Sequence, residues 1–330
     1  MIKEKELTNY LNGRGFAVLL GVILLIASAV AAIFGRYAEP VGGYGIFFPA
    51  FESMIANPIV SWAANIAAIG GICVVLLLLQ KLYNFIRSYT SIFVSAFLIL
   101  QLANPALCTR LYGGTMMCLI VIGLVAMMFS CYQDKDSQRS IFTAFCALTF
   151  CALFQYSFLF LLPVFFIGFI QMRAMNLRGA IAALLGIITP LWILVPTLIF
   201  LGIMPADWSI LKAPQFMDLW SGSGAINWHE LAILVATLLL AIVLSAANLL
   251  HIINYNLQIR SYNGFFLVLT IATAVMMCID LKNIAFYQPI VNMCIAIQVG
   301  HDFTINANKK RYIPMLILMA LAATSYCMSI

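Results

Sequence analysis

The sequence predicts an all-helical, polytopic membrane protein: a single transmembrane bundle of about eleven spans with a cytoplasmic N-terminus. Three observations carry this prediction. Hydrophobic residues make up 64% of the 330 residues, charged residues make up only 8%, and the lysines and arginines gather on alternate connections between apolar runs. About a quarter of the residues of a soluble protein are charged, so this chain has too little polar surface to fold in water. The apolar runs also lack the ten-residue alternation of a membrane barrel. Residues 1–330 therefore form one integral membrane domain, with no soluble domain.

Eleven apolar runs, bounded by charged residues or by Asn, Gly and Pro, are predicted to be the spans. They are residues 16–34, 59–79, 89–103, 114–131, 141–154, 156–171, 180–203, 231–253, 263–281, 284–299 and 312–329. The first run follows a polar N-terminal segment and lacks the pattern of a cleaved signal peptide. The run 180–203 contains Pro190 and Pro196 but is too short for two crossings, so it is predicted to be one kinked helix.

The stretch 141–171 is predicted to form a short, tight helical hairpin. Its two halves, 141–154 and 156–171, are each shorter than the roughly 20 residues that cross a hydrocarbon core. They meet at Gln155, so the hairpin either spans a thinned bilayer or enters it and returns. The basic residues at its two ends place both ends on the cytoplasmic side. These residues are Lys135, Arg139, Arg173 and Arg178.

The distribution of basic residues predicts the orientation. With the N-terminus inside, 13 of the 17 lysines and arginines fall on cytoplasmic segments, and only Arg36, Arg110, Lys212 and Lys282 fall outside. Positively charged residues are retained on the cytoplasmic side during insertion, so this orientation is favoured over its inverse. The same asymmetry accounts for the net charge of +6 without a nucleic-acid partner. The predicted location is the bacterial inner membrane.

Several short sequence motifs carry a family resemblance. They are FLFLLP at 158–163, Arg173, NLR at 176–178, AALLG at 182–186, Thr189 and Pro190, and QKLYN at 80–84. This pattern resembles a Bacteroidetes family of polytopic inner-membrane proteins, a domain of unknown function. The resemblance covers roughly residues 55–200 and implies a multi-pass inner-membrane protein. It implies no functional residues.

Six acidic residues are predicted on the outer side: Glu39, Glu52, Asp207, Asp218, Glu230 and Asp280. A carboxylate at the membrane surface can act as general base for a sugar acceptor or hold a divalent cation against a phosphate. Glu52 and Glu39 are the predicted catalytic residues, Glu52 first because apolar residues flank it. Arg110, Lys212 and His229 are the predicted substrate-binding residues. No metal-binding motif occurs, and no cofactor is identified.

A hairpin that ends in an inner arginine, combined with acids in the first outer loop, is similar to membrane glycosyltransferases that use polyprenyl-linked sugars. That resemblance implies a cell-envelope glycoconjugate protein whose partners are membrane lipid and a lipid-linked sugar. The loop of those enzymes usually carries a pair of adjacent acids, whereas Glu39 and Glu52 are thirteen residues apart. The departure leaves it open whether this chain is an enzyme.

Two other functions remain open at this stage. No Asp, Glu, Lys or Arg lies in the middle third of a predicted span, which argues against an ion-coupled transporter. A non-catalytic component that packs against a membrane-protein partner is one alternative. A transporter or channel for a neutral or lipidic solute is the other. The amides that would line its path are Asn65, Gln101, Gln288, Asn292 and Gln298, and they are predicted chiefly to make interhelical hydrogen bonds.

Overall fold

The computed structural model describes residues 10–33, 57–86, 91–200, 228–251, 255–280, 284–305 and 313–329. These residues form eleven α-helices and two 3-10 helices, and they contain no strand. The helices are α1 Arg14–Ile33, α2 Pro58–Tyr83, α3 Ile92–Leu102, α4 Gly113–Ser130, α5 Gln138–Phe154, α6 Leu161–Gln171, α7 Leu177–Phe200, α8 Trp228–His251, α9 Leu257–Ile279, α10 Ile284–Ile305 and α11 Ile313–Ser329. The 3-10 helices are Pro105–Cys108 and Tyr156–Phe160. The predicted all-helical class is confirmed.

Each helix overlaps one of the eleven predicted apolar runs. By length and composition, the described parts of α1, α2, α4 and α9 are long and apolar enough to cross a membrane. The predicted helix at 156–171 begins differently, because its first five residues form the 3-10 helix Tyr156–Phe160. The run with two prolines is a single helix, α7, as predicted.

Local sequence signals define both ends of α2. The Asn57 side chain accepts a hydrogen bond from the Ile59 N–H at 3.0 Å, and Pro58 occupies the first helical position, where a missing N–H costs nothing. At the other end Asn84 adopts the left-handed conformation (φ 45°), which stops the helix. The Gln80 side chain then exchanges hydrogen bonds of 2.8 and 3.0 Å with the backbone of Ile86.

Helices α3 and α10 form the centre of the bundle. Helix α10 contacts α3, α4, α8 and α9, and α3 also contacts α1, α2 and α11. Every side chain from Phe286 to His301 is buried, as is every side chain from Ile92 to Gln101. A helix buried on all sides belongs to the interior of a large bundle. Because the side chains of α10 face protein in every direction, its polar residues lie against neighbouring helices and not against lipid.

Helix α7 lies at the periphery and packs mainly against α5. The two backbones approach closely at Gly186, where a Cβ would lie 2.6 Å from the Phe142 carbonyl oxygen. Small residues allow such approaches between membrane helices. The opposite face of α7 is exposed, with Trp192 at 75% and Phe200 at 91% of full accessibility. An apolar exposed face of this kind suits contact with lipid chains.

Segments predicted on the cytoplasmic side meet at one end of the bundle. The Asn176 side chain donates to the Lys135 carbonyl at 2.9 Å, and this bond joins the segments that precede and follow the predicted hairpin. The Ser91 hydroxyl donates to the Asn12 carbonyl at 2.8 Å, which joins the N-terminal segment to the start of α3. We call this end of the bundle the inner end.

Segments predicted on the other side meet at the opposite end, which we call the outer end. The Leu111 N–H donates to the Ser61 hydroxyl at 3.0 Å. The Asn65 side chain donates to the Leu107 carbonyl at 2.9 Å. These two bonds hold the connection between α3 and α4 against the first turns of α2. The helices therefore run up and down between two sets of connections.

Candidate functional site

A buried acidic residue, Asp280, lies at the outer end directly after α9. It is only 6% exposed, and its Oδ2 accepts a hydrogen bond of 3.0 Å from the Tyr287 hydroxyl in the first turn of α10. The Tyr287 hydroxyl also lies 3.2 Å from the Ser157 Oγ, at the tip between α5 and α6. These three side chains, which we call the outer cluster, join three parts of the chain.

The tip between α5 and α6 positions Ser157. Helix α5 ends at Phe154, the backbone of the following Gln155 is extended (φ −145°, ψ 115°), and the 3-10 helix after it turns the chain back. Its last residue, Phe160, packs edge-on against the Tyr287 ring with centroids 5.5 Å apart. The Gln155 side chain is 2% exposed, and its Nε2 has no hydrogen-bond partner. An amide donor therefore remains available two residues from Ser157.

The start of α4 packs against the start of α10 beside the outer cluster. A Cβ on Gly113 would overlap the Phe286 ring and would lie 3.5 Å from the Gln155 Oε1. A Cβ on Gly114 would lie 2.7 Å from the Ala285 carbonyl oxygen. Both glycines are therefore required by the close approach of the two helices. This contact brings the preceding segment, which carries Arg110, to the end of the bundle that holds Asp280.

Burial also controls the chemistry of the connection between α3 and α4. Cys108 lies in its 3-10 helix with 1% exposure, and loss of hydration raises the pKa of its thiol to about 12. The thiol is therefore protonated at neutral pH and is a poor nucleophile. The eight cysteines whose side chains the structure describes are free, and the described residues contain no group of three metal-ligating side chains.

The outer cluster offers hydrogen-bonding groups of both kinds. A carboxyl accepts, a phenol and a serine hydroxyl donate or accept, and the Gln155 amide donates. Ionisable groups are costly to bury near a bilayer and are functional candidates by default. A site of this composition, with the aromatic rings of Phe160 and Phe286 nearby, suits a ligand that carries several hydroxyl groups.

Only part of the predicted site falls within the described residues. Arg110 is exposed, and its predicted side and substrate-binding role stay predictions. His229 lies in the first turn of α8, and its side chain is outside the described part of the chain. Glu39, Glu52 and Lys212 also lie outside the described residues, so their catalytic and substrate-binding roles stay predictions. Comparison of the chain with protein-family models, curated proteins and solved structures finds no match.

Asp280 was predicted as one of six outer acids and was assigned no role, and the structure shows that its side chain is buried. Helix α9 ends at Ile279 and α10 begins at Ile284, and the Tyr287 hydroxyl in the first turn of α10 bonds to the Asp280 carboxyl group. A tyrosine seven positions later was the available signal, because it places a phenolic donor in the first turn of α10. The run of apolar residues around Tyr287 concealed it.

The predicted interhelical role of the amides is confirmed for several of them. The Asn292 side chain donates to the Leu100 carbonyl at 3.3 Å, and the Asn104 side chain donates to the Gln288 Oε1 at 3.2 Å. Both bonds tie α10 to α3 or to the turn that follows it. The amides therefore serve as bonds between helices at these positions. Helix α10 extends six residues beyond the predicted tenth span, to Ile305, and buries His301 completely.

Proposed function

We propose that this chain is a multi-pass protein of the bacterial inner membrane that acts at the outer face on a lipid-linked sugar, in the manner of a polyprenyl-sugar-dependent glycosyltransferase. In this proposal its eleven helices cross or enter the bilayer, with the N-terminus in the cytoplasm. The outer cluster then lies at the periplasmic surface, where lipid-linked envelope sugars are used.

Two independent features support the topology: the distribution of basic residues supports the orientation, and two hydrogen bonds support the grouping of the cytoplasmic connections at one end. Thirteen of the 17 basic residues fall on one set of connections, which favours the cytoplasm for that set. The hydrogen bonds of Asn176 to Lys135 and of Ser91 to Asn12 join members of that same set. An incorrect assignment of spans would place some of these partners at opposite ends of the bundle.

The observation that carries the proposed activity is the burial of Asp280 with Tyr287 and Ser157 at the end of the bundle that also presents Arg110. Transfer of a sugar from a lipid phosphate needs both a carboxylate and a cation at the same membrane face. The carboxylate accepts a proton or orients a hydroxyl, and the guanidinium binds phosphate oxygens. The chain thus offers a carboxyl group that the prediction of Glu52 and Glu39 had not considered.

The proposed reaction is a displacement at the anomeric carbon of the donor sugar. The acceptor hydroxyl oxygen forms a bond to that carbon, and its proton passes to the carboxylate of Asp280. The bond between the anomeric carbon and the phosphate oxygen breaks, and polyprenyl phosphate leaves with the electron pair. Arg110 stabilises the negative charge that develops on this leaving phosphate. Tyr287 holds the carboxyl group in position and is a positioning residue.

Replacement of Asp280 by Asn tests this proposal, because it keeps the size of the side chain and removes its capacity to accept a proton. In a strain that lacks the gene, complementation with Asp280→Asn is expected to leave the surface-glycan defect uncorrected, while Asp136→Asn, at an exposed inner site, corrects it. Quantification of each variant in the membrane fraction separates loss of activity from loss of protein. A normal glycan profile with Asp280→Asn contradicts the proposed role.

Copurified lipid gives a second test that does not depend on knowing the acceptor. Mass spectrometry of the wild-type protein extracted in mild detergent is expected to detect a polyprenyl-phosphate sugar, and Arg110→Gln is expected to lose most of it. Recovery of a stoichiometric protein partner with no such lipid contradicts the transferase proposal and favours the assembly component.

A further inference from the structure

A second polar cluster lies at the inner end of the bundle, where α8, α9 and α10 meet. We call Asn248, Asn263, Gln298 and His301 the inner cluster. All four side chains are at most 1% exposed. Asn248 and Asn263 exchange amide hydrogen bonds of 2.9 and 3.0 Å, and the Asn248 Nδ2 also donates to the Gln298 Oε1. Three helices are thus joined by one amide network.

This network leaves specific atoms without partners. The Gln298 Nε2 has no hydrogen-bond partner, and neither ring nitrogen of His301 has one. Gln298 and His301 are three residues apart on α10, so their side chains lie on the same face about one turn apart. The His301 ring is held between the rings of Phe85 and Tyr255, at centroid distances of 6.3 and 5.5 Å. The unpaired atoms therefore belong to fixed side chains in one small region.

The chemistry of these unpaired atoms defines the kind of molecule that could form hydrogen bonds with them. The Gln298 Nε2 supplies two N–H donors, and a neutral imidazole supplies one donor and one acceptor. No carboxylate belongs to this cluster, so the site offers a cation no charged ligand. Buried water typically makes about three hydrogen bonds to polar groups that would otherwise stay unpaired. The number and mixture of the unpaired groups match that requirement.

We infer that the inner cluster is an internal hydration site, in which ordered water bridges Gln298 and His301 and completes the amide network of α8, α9 and α10. The water donates to one ring nitrogen of His301 and accepts from the Gln298 Nε2. This occupancy extends the hydrogen-bond network of the three helices to His301. The inference does not rest on the proposed function, because it concerns the opposite end of the bundle.

Solid-state NMR of the full-length protein in lipid bilayers, with uniform ¹⁵N labelling, tests the inference. The probe is water itself: water magnetisation is selected and its transfer to side-chain nitrogens is followed in time. The His301 ring signals are assigned by their loss in His301→Phe, since the chain has three histidines. Early transfer from water to the His301 ring is expected in the wild-type protein.

The matched control is Asn65, a side-chain amide with 0% exposure whose Nδ2 is bonded to the Leu107 carbonyl. Its signal is expected to rise later than that of His301. Gln298→Leu is expected to remove the early transfer to His301 without removing the His301 signal. Transfer to His301 that is no faster than transfer to Asn65 in the wild-type protein shows a dry cluster and overturns the inference, whether or not Gln298→Leu folds.

Discussion

The buried polar groups at the two ends of the α9–α10 pair have different kinds of hydrogen-bond partners. At the outer end the acid Asp280 is paired with a phenol, and the Tyr287 hydroxyl links it to a third segment. At the inner end neutral amides bond to one another but leave donors on Gln298 and His301 unpaired. The outer end therefore holds a carboxyl group that is linked by hydrogen bonds to two other segments, and the inner end holds amide and imidazole nitrogens without a protein partner.

The contrast extends to how tightly each end is packed. At the outer end, a Cβ on Gly114 would meet a backbone atom, the Ala285 carbonyl oxygen, at 2.7 Å. At the inner end, a Cβ on Gly300 would meet the end of a side chain, the Ile86 Cδ1, at 2.8 Å. Backbone cannot move aside as a side-chain terminus can. The outer junction of α4 and α10 is therefore the less tolerant of the two.

The largest expected effect comes from breaking that outer junction with Gly114→Val. Forcing extra methyl groups against backbone is expected to lower the free energy of unfolding by about 3 kcal/mol, at the upper end of overpacking costs. Unfolding in mixed micelles of mild detergent and SDS measures it. The control is Gly123→Val on the same helix, where a Cβ would meet nothing within 4 Å. Equal stability of the two variants would show that α4 and α10 are not in close contact.

A smaller effect is expected from Gly300→Ala at the inner end. The Ile86 side chain can rotate away from the new methyl group, so the expected loss is about 1 kcal/mol or less. The same unfolding assay measures it. A loss as large as that of Gly114→Val would remove the difference in packing between the two ends.

The lipid-facing helices of this fold could be predicted from the sequence because contact with lipid requires apolar side chains. A helix that touches lipid must be apolar, so the runs of α1, α2 and α9 were visible in the sequence as uninterrupted hydrophobic stretches. Helix α10 touches only protein, and it carries Gln288, Asn292 and Gln298, each of which makes a hydrogen bond to a neighbouring part of the bundle. The predicted span therefore stopped at residue 299, where Gly300 and His301 resembled the start of a connection.

The candidate site was less predictable than the fold for a related reason. Glu39 and Glu52 were chosen for their place in the first outer loop, and Asp280 was assigned no role. The Tyr287 hydroxyl links Asp280 to Ser157, more than a hundred residues away in sequence, and no local pattern reports such a pairing. The charge asymmetry alone assigns the connection that carries Arg110 to the outer side, and this assignment stays a prediction.

Within the inner cluster, Asn248→Leu measures how much the amide hydrogen bonds contribute to the stability of the inner end. The substitution removes the partner of Asn263 and of the Gln298 Oε1, and interhelical bonds of this kind contribute about 0.6 to 2 kcal/mol each. The expected loss is about 1 kcal/mol in the same unfolding assay. Asn292→Leu, which removes a single bond to the Leu100 carbonyl, is expected to cost less. The reverse order would show that the inner amide network contributes no stability.

The smallest effect concerns reactivity at the outer end. An ordinary thiol ionises around pH 9, whereas burial raises the pKa of Cys108 to about 12. Because the raised pKa leaves the thiol protonated, maleimide labelling of a variant whose only cysteine is Cys108 is expected to stay low from pH 7 to 9. Labelling after denaturation in SDS is the positive control. Labelling that rises across this pH range in the folded protein would show that the α3–α4 connection is open to water.

The orientation of the bundle underlies every functional statement, and labelling of two exposed positions tests it most directly. In a cysteine-free background, Arg110→Cys at the outer end and Lys135→Cys at the inner end are treated in spheroplasts with a membrane-impermeant maleimide. Both side chains are exposed in the fold. The account predicts labelling of the first variant in intact spheroplasts and of the second only after lysis. Labelling of both before lysis, or of Lys135→Cys alone, would contradict the placement of the Asp280 cluster at the outer face.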